Sequence, residues 1–419
     1  MRCKIEGITH NGEGVGRVEG KAVFIPYAVP GELVDIEILE DKGRYARARL
    51  SSVLELSPGR REALCPNYYE CGGCAYQHVD YSKQLELKRQ VVSENLQRLG
   101  KIDIPVNPVI GMEEPWKYRN KVTWHVQKLG NEEAVMGYYQ QASRNLVPID
   151  SCPLISDKMN TISSQLQNLL PLLDFGDQGE ITLRESSFNH QCMLILNGLK
   201  NNPVKQIIGI LSQLVDSIYL VKPGKYWHLA GRERLQEKIR DITFYLSPLA
   251  FFQVNSVQTG KMINIILNLN DFSNEMVLDA YCGIGSIALN IAPVAERVVG
   301  VESSRSAVKD AIYNSQVNNL NNCEFIHGPC EKILPELKEQ FDTVILDPPR
   351  SGCRREVVDS IIKISPRTII YVSCNPSTLA RDLSLFAQGG FKLIEVQPID
   401  LFPQTYHVEC VVLMSRADK

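Results

Sequence analysis

The chain has 419 residues, 44% of them hydrophobic and 22% charged. At about 100–200 residues per domain that means two to four domains with real cores, and it excludes a disordered or collagen-like chain. The formal charge of −3, from 45 basic and 48 acidic residues, excludes wholesale neutralisation of a nucleic acid but not a local basic surface. No stretch approaches the roughly 18 apolar residues of a membrane span. Met1–Glu6 lacks an apolar signal region, so a cytoplasmic chain that stays off membranes is expected.

Residues 1–57 read as short strands with glycine turns. Asn11-Gly12-Glu13-Gly14-Val15-Gly16 is a turn cluster, and Lys21–Pro26, Leu33–Leu39 and Arg44–Leu54 are β-rich. Such a run fits a five-stranded barrel of the oligonucleotide-binding type. Six basic residues against Glu55 give +5 between Lys42 and Arg61. Arg47 and Arg49 share one strand face. That face is read as contacting phosphate, with a plain solvated face as the alternative.

Ser57-Pro58-Gly59 marks a boundary, and a mixed segment follows to residue 240. It opens with Cys65, Cys71 and Cys74 inside ten residues, and Cys152 stands far downstream among the chain's twelve cysteines. Four thiolates suit tetrahedral zinc or a cuboidal iron–sulfur cluster. Zinc ribbons show two Cys-x-x-Cys pairs; here there is one, and its partner cysteine is five residues off. The set is therefore read as a [4Fe–4S] site, with zinc and a metal-free structural set left open. A helix is expected over Tyr81–Leu99, with Leu85, Val92, Leu96 and Leu99 as its apolar face. In Trp116-Lys117-Tyr118-Arg119-Asn120-Lys121 aromatics alternate with charge, either to grip single-stranded nucleic acid or as an ordinary domain surface.

From Asp241 to the C-terminus, strands and helices alternate. Strands are expected at Met276–Asp279, Arg297–Glu302, Cys323–His327, Asp342–Asp347, Thr368–Cys374, Lys392–Pro398 and Val408–Met414. Helices are expected at Ser286–Ile291, Arg305–Leu320, Glu331–Glu339, Glu356–Ile364 and Thr378–Ala387. This is a parallel, doubly wound α/β pattern. Asp279-Ala280-Tyr281-Cys282-Gly283-Ile284-Gly285-Ser286 follows its first strand, and Gly283 and Gly285 let the backbone approach a ligand. Glu302 ends the next strand, where a carboxylate can accept two ribose hydroxyls. Ala288 is tolerated at the third glycine position, so these glycines alone fit NAD as well. Asp279 and the residues downstream favour S-adenosylmethionine.

Asp347-Pro348-Pro349-Arg350 closes the fourth strand, its prolines fixing the acid in the cleft. Cys374 lies where the fifth strand meets a helix N-terminus, a position expected to lower a thiol pKa. Glu409, in an apolar run, is a candidate base with an elevated pKa; His407 competes with it.

Phe252-Gln253-Val254-Asn255, the Asp279–Gly285 loop, Asp347-Pro348-Pro349-Arg350, Val372-Ser373-Cys374-Asn375-Pro376 and His407-Val408-Glu409 occur in that order. Together they resemble the RNA uracil-5 methyltransferase family over essentially the whole chain. The resemblance implies a TRAM barrel at 1–57 and a central α+β iron–sulfur domain at 58–240. It implies a Rossmann-like class I methyltransferase domain at 241–419. It implies Cys374 as nucleophile and Glu409 as base. Gln253, Tyr281, Glu302 and Asp347 would line the S-adenosyl-L-methionine and uracil site. Cys65, Cys71, Cys74 and Cys152 would hold the [4Fe–4S] cluster. Barrel and cluster together resemble the bacterial 23S ribosomal RNA branch, so a monomer acting on 23S rRNA is expected. Pro329 departs from the family pattern, standing where Asp or Asn commonly faces the adenine. An amine methyltransferase, or a non-catalytic RNA-binding protein, would be the other classes; neither needs Cys374.

Overall fold

The computed structural model describes residues 1–129 and 133–416. Strands β1 (Arg2–Ile8), β2 (Gly14–Val18), β3 (Lys21–Ile25), β4 (Leu33–Asp41) and β5 (Tyr45–Glu55) close a barrel in the order β1-β2-β3-β5-β4. Its core comes from alternate residues (Cys3 and Ile5, Val23 and Ile25, Val34 and Ile36, Ala46 and Ala48), the period-2 pattern of a half-buried strand.

Helix α1 (Tyr81–Asn95) starts at an Asp80 cap that accepts from Ser82 N. Helical backbone runs over the expected Tyr81–Leu99 and one residue further, but its last turn is of another type. The ladder changes to a π turn at Leu96–Gly100 and stops at Lys101, φ +56°. This swings Leu99 into solvent. Polar Gln84 and Lys88 are buried beside Leu87 and Val92.

The central sheet holds seven strands: β6 (Lys121–Leu129), β7 (Glu133–Tyr139), β8 (Leu146–Pro148), β9 (Phe175–Glu185), β10 (Cys192–Leu199), β11 (Ser217–Lys222) and β12 (Lys225–Gly231). Their order is β12-β11-β10-β9-β6-β7-β8. Helices α2 (Asp157–Leu169) and α3 (Lys205–Leu211) share one core with it, around Trp124, Leu166, Leu194 and Leu211. A separate hairpin, β13 (Leu235–Ile239) and β14 (Ile242–Leu246), straddles residue 240. Its Ile239 and Phe244 share one core with Met193 and Tyr219 of the central sheet and with Ile263 of the C-terminal half.

The C-terminal half begins with α4 (Ser256–Leu269). Its strands are β15 (Met276–Ala280), β16 (Arg297–Glu302), β17 (Cys323–His327), β18 (Thr343–Leu346), β19 (Thr368–Ser373), β20 (Phe391–Ile399) and β21 (Glu409–Arg416). Its other helices are α5 (Ala288–Ile291), α6 (Arg305–Val317), α7 (Cys330–Ile333), α8 (Arg355–Ile364) and α9 (Pro376–Gln388). The sheet order is β17-β16-β15-β18-β19-β21-β20. The wholly parallel expectation is corrected: β21 runs antiparallel to both β19 and β20. Helices α5 and α7 are shorter than expected, the latter passing into a 3-10 turn at Leu334–Glu336. Two cores, one on each sheet face, make the doubly wound pattern, and α1 contributes Val92 to one of them.

Candidate active site

The carboxyl ends of β15, β16, β18 and β19 border one cavity of about 740 Å³, reached by Gln253, Tyr281, Glu302, Asp347, Cys374 and Glu409. This is the edge where open α/β sheets take their ligands. Beyond β15, Tyr281 and Cys282 donate from their backbone to Val301 O, and Gly283 has φ +56° with open space where a Cβ would stand. Glu302 accepts from Gly283 N at 3.2 Å and from Ser304 N at 2.6 Å. Pro329 lines the cavity as well.

The antiparallel register brings two of the candidate residues together. Ser373 on β19 stands opposite Cys410 on β21. The next step in that register brings Cys374 across from Glu409, although 35 positions separate them in sequence. Cross-strand neighbours lie about 4.5–5.5 Å apart at Cβ. The loop after β18 is tied to the same corner. Asn375 Nδ2 and Thr378 Oγ1 donate to Arg350 O at 3.0 and 3.2 Å.

Electrostatics at this corner differ from expectation. Burial, then the charges of Glu409 and Asp347, push the Cys374 thiol up to about 11, with Arg350 opposing. The expected lowering by the helix end is overridden. Burial also raises Glu409 well above the carboxylate range, with Asp347 adding to it. His407 moves the other way, to about 3, through burial and the Arg350 guanidinium, whose Nη2 is 3.3 Å from its Nε2. Its imidazole is neutral and a weak proton acceptor, which leaves Glu409 the stronger base. Asp279 was not read as a site residue from sequence. It lines the cavity, its pKa is raised to about 8 by burial and then Asp347, and its Oδ1 has no hydrogen-bond partner among the described residues. Its position as leading acid of the glycine loop was the available signal.

Cys65, Cys71, Cys74 and Cys152 come together around a second cavity of about 110 Å³, with Arg119 and Tyr138 in its wall. Among the described residues no group of three or more His, Cys, Asp or Glu is arranged to hold a metal ion. Burial raises all four thiols. The alternating run leading into β6 is divided: Tyr118 and Asn120 are buried and Arg119 lines the cysteine cavity, while Lys117 is exposed. The barrel's basic face is also less free than its count implies. Arg47 pairs with Glu13 at 3.3 Å, Lys42 with Glu40 at 2.5 Å, Arg49 with Glu37, and Arg60 with buried Glu32.

Residues 1–51 match the TRAM domain, and residues 230–417 match the tRNA (Uracil-5-)-methyltransferase family. An uncharacterized RNA methyltransferase of Bacillus cereus (strain ATCC 10987 / NRS 248) is 36% identical over 444 aligned positions, covering 99% of this chain and 96% of its own. The chain belongs to the RNA (uracil-5-)-methyltransferase family. It is thus an S-adenosylmethionine-dependent RNA (uracil-5-)-methyltransferase. An uncharacterized RNA methyltransferase of Caldanaerobacter subterraneus subsp. tengcongensis is 37% identical, covering 98% of this methyltransferase and 97% of its own length. Among solved structures, the tRNA (uracil-54, C5)-methyltransferase of Pyrococcus abyssi, in complex with S-adenosyl-L-homocysteine, is similar at TM-score 0.78 and 25% identity. That likeness covers 99% of this chain and 100% of that one. No helix among the described residues is long and apolar enough to cross a membrane.

Proposed function

We propose that this methyltransferase forms 5-methyluridine in 23S ribosomal RNA, as a cytoplasmic monomer, through a covalent adduct on Cys374. The observation that carries the mechanism is the placement of Cys374 across from Glu409 at the cavity that Asp347 and Glu302 border. The Cys374 thiolate adds to carbon 6 of an unstacked uracil, and the electron pair moves to make an enolate rich at carbon 5. Carbon 5 displaces S-adenosylhomocysteine from the methyl group. Glu409 takes the carbon-5 proton, the carbon 6–sulfur bond breaks, and the thiolate leaves. Because Cys374 rests as a thiol, its proton must pass to a neighbouring carboxylate or solvent first. Gln253, Tyr281 and Glu302 are assigned to the cofactor side, Glu302 to its ribose. The unpartnered Asp279 Oδ1 fits the ammonium of S-adenosylmethionine. Trapping with 5-fluorouridine RNA tests this reading: a mass increase mapped to Cys374 is expected, and a wild-type turnover rate in Cys374→Ala overturns it.

Cys65, Cys71, Cys74 and Cys152 are assigned as ligands of a [4Fe–4S] cluster. The support is a donor set of four thiols around one cavity. When bound, the cluster cross-links the Cys65–Cys74 loop to Cys152; methyl transfer moves no net electrons through it. Anaerobic purification should give about four irons and four sulfides per chain, whereas one zinc would replace this assignment.

The 23S target rests on barrel and cysteine set together. A transfer RNA target is the second reading, favoured by the full-length likeness to the Pyrococcus abyssi enzyme. Mapping 5-methyluridine in ribosomal and transfer RNA from a deletion strain separates the two: the missing modification names the substrate.

A further inference from the structure

The segment Asp400–His407 joins β20 to β21 and ends two residues before Glu409. It has no regular structure of its own, yet its polar groups are held from several elements: Asn255, Gln258 and Tyr118 bond its carbonyls, and α1 and the cysteine loop hold Asp400, Phe402 and Gln404. Lys88 Nζ donates to Asp400 Oδ1 at 2.6 Å and to Phe402 O at 3.1 Å. Tyr81 OH donates to Asp400 Oδ2 at 2.9 Å. Gln84 and Gln404 exchange two hydrogen bonds: Gln84 Nε2 donates to Gln404 Oε1 at 2.9 Å, and Gln404 N donates to Gln84 Oε1 at 3.0 Å. The backbone N–H groups of Ala75 and Tyr76, directly after Cys74, both donate to Gln404 O at 3.0 and 2.9 Å. Gln404 is fully buried and has φ +67°. A non-glycine residue in that region is strained and persists only where its surroundings over-determine it.

The shape of the segment is therefore imposed on it. Glu409 is the first residue of β21, so the segment's path sets where that carboxylate begins. We propose that Gln84 and Gln404 are positioning residues for Glu409, and that through Gln404 the backbone after Cys74 sets the geometry of proton removal.

The inference rests on Glu409 being the base, so Glu409→Gln is the control. Two variants break the link differently. Gln84→Met removes the side-chain pair at similar length. Gln404→Gly removes only the bond to Gln404 Oε1, keeps the N–H donated to Gln84 Oε1 and tolerates φ +67°, so it separates positioning from failure to fold. In both, kcat is expected to fall about tenfold, with unchanged S-adenosylmethionine affinity by calorimetry. The covalent protein–RNA adduct should accumulate on denaturing gels as it does in Glu409→Gln. An accumulating control beside variants of wild-type kcat, or variants slowed without adduct, overturns the inference. A control that does not accumulate adduct overturns the base assignment instead. For the cysteine loop the readout is amide hydrogen exchange in Cys74→Ser: faster exchange across 400–407 is expected, and unchanged exchange overturns that half of the proposal.

Discussion

Lys88 Nζ stands 2.6 Å from Asp400 Oδ1, and neither side chain reaches solvent. One belongs to α1, the other to the segment leading to Glu409. Burial lowers the Lys88 pKa from its ordinary value, and the Asp400 charge opposes that shift. The pair joins the cysteine-bearing half of the chain to the reacting end of the α/β sheet. Without Lys88, Asp400 would be a buried, uncompensated charge.

Lys88→Met should accordingly cost about 3–5 kcal/mol in denaturant unfolding. Replacing both partners, Lys88→Met with Asp400→Leu, should recover most of that loss, because no lone charge is left inside. A double variant as weak as the single one would show that the pair matters through something other than charge compensation.

Cys374→Ala should abolish methyl transfer, with S-adenosylmethionine still bound at wild-type affinity. The thiol lines the cavity beside Glu409, and no described hydrogen bond makes it a support of the glycine loop. Calorimetry and tritium release from carbon 5 would be measured together; a parallel loss of cofactor binding would argue against the nucleophile role.

The thiol's reactivity should follow its surroundings. With its pKa pushed up to about 11 by burial and by two carboxylates, Cys374 should alkylate with iodoacetamide ever faster as pH rises, with no plateau near the ordinary thiol value. In Glu409→Gln one of the opposing negative charges is gone, so the thiolate is less costly and the midpoint moves down. Peptide mass spectrometry across a pH series reads both curves; coincident curves would mean Glu409 does not face the sulfur.

Asp279 gives a stability signature. Its carboxyl is raised from 3.8 to about 8 in the folded protein. A raised acid supports folding fully below its unfolded value, and that support is lost as pH climbs through the folded value. Asp279→Asn can keep the bond from Ala288 N, at 3.0 Å, without the charge. At about pH 9 the cofactor-free variant should melt roughly 2–4 °C above the wild type, with the gap closing in acid. Its affinity for S-adenosylmethionine should drop about tenfold through loss of a charge-assisted bond. A variant less stable than wild type at alkaline pH would refute the assignment.

The sequence carried the barrel and the α/β half because both follow strict periods. Cys3 and Ile5, or Val34 and Ile36, alternate as a half-buried strand must, and Gly283, Glu302 and Asp347 mark strand ends by residue type. The helix bearing Gln84 and Lys88 was legible only as an element. Val92 and Leu96 of its expected apolar face are buried, but a buried lysine and glutamine look like solvated residues until their partners, over 300 positions away, are known. The Cys374 thiol went wrong for a related reason: a helix end is visible in sequence, but the two carboxylates beside it arrive through strand pairing. The direction of β21 was likewise invisible, since an apolar run does not state which way it lies.

The carboxylates beside the barrel's cations change how a strand of RNA would travel over it. A phosphate that takes Arg47 or Arg49 competes with Glu13 or Glu37 for the same guanidinium, so part of each new contact is offset. Exchange of this kind makes attachment shallow in its dependence on salt and quick to reverse. A surface that swaps partners in place can let finished RNA slip away while its grip is renewed on the next strand.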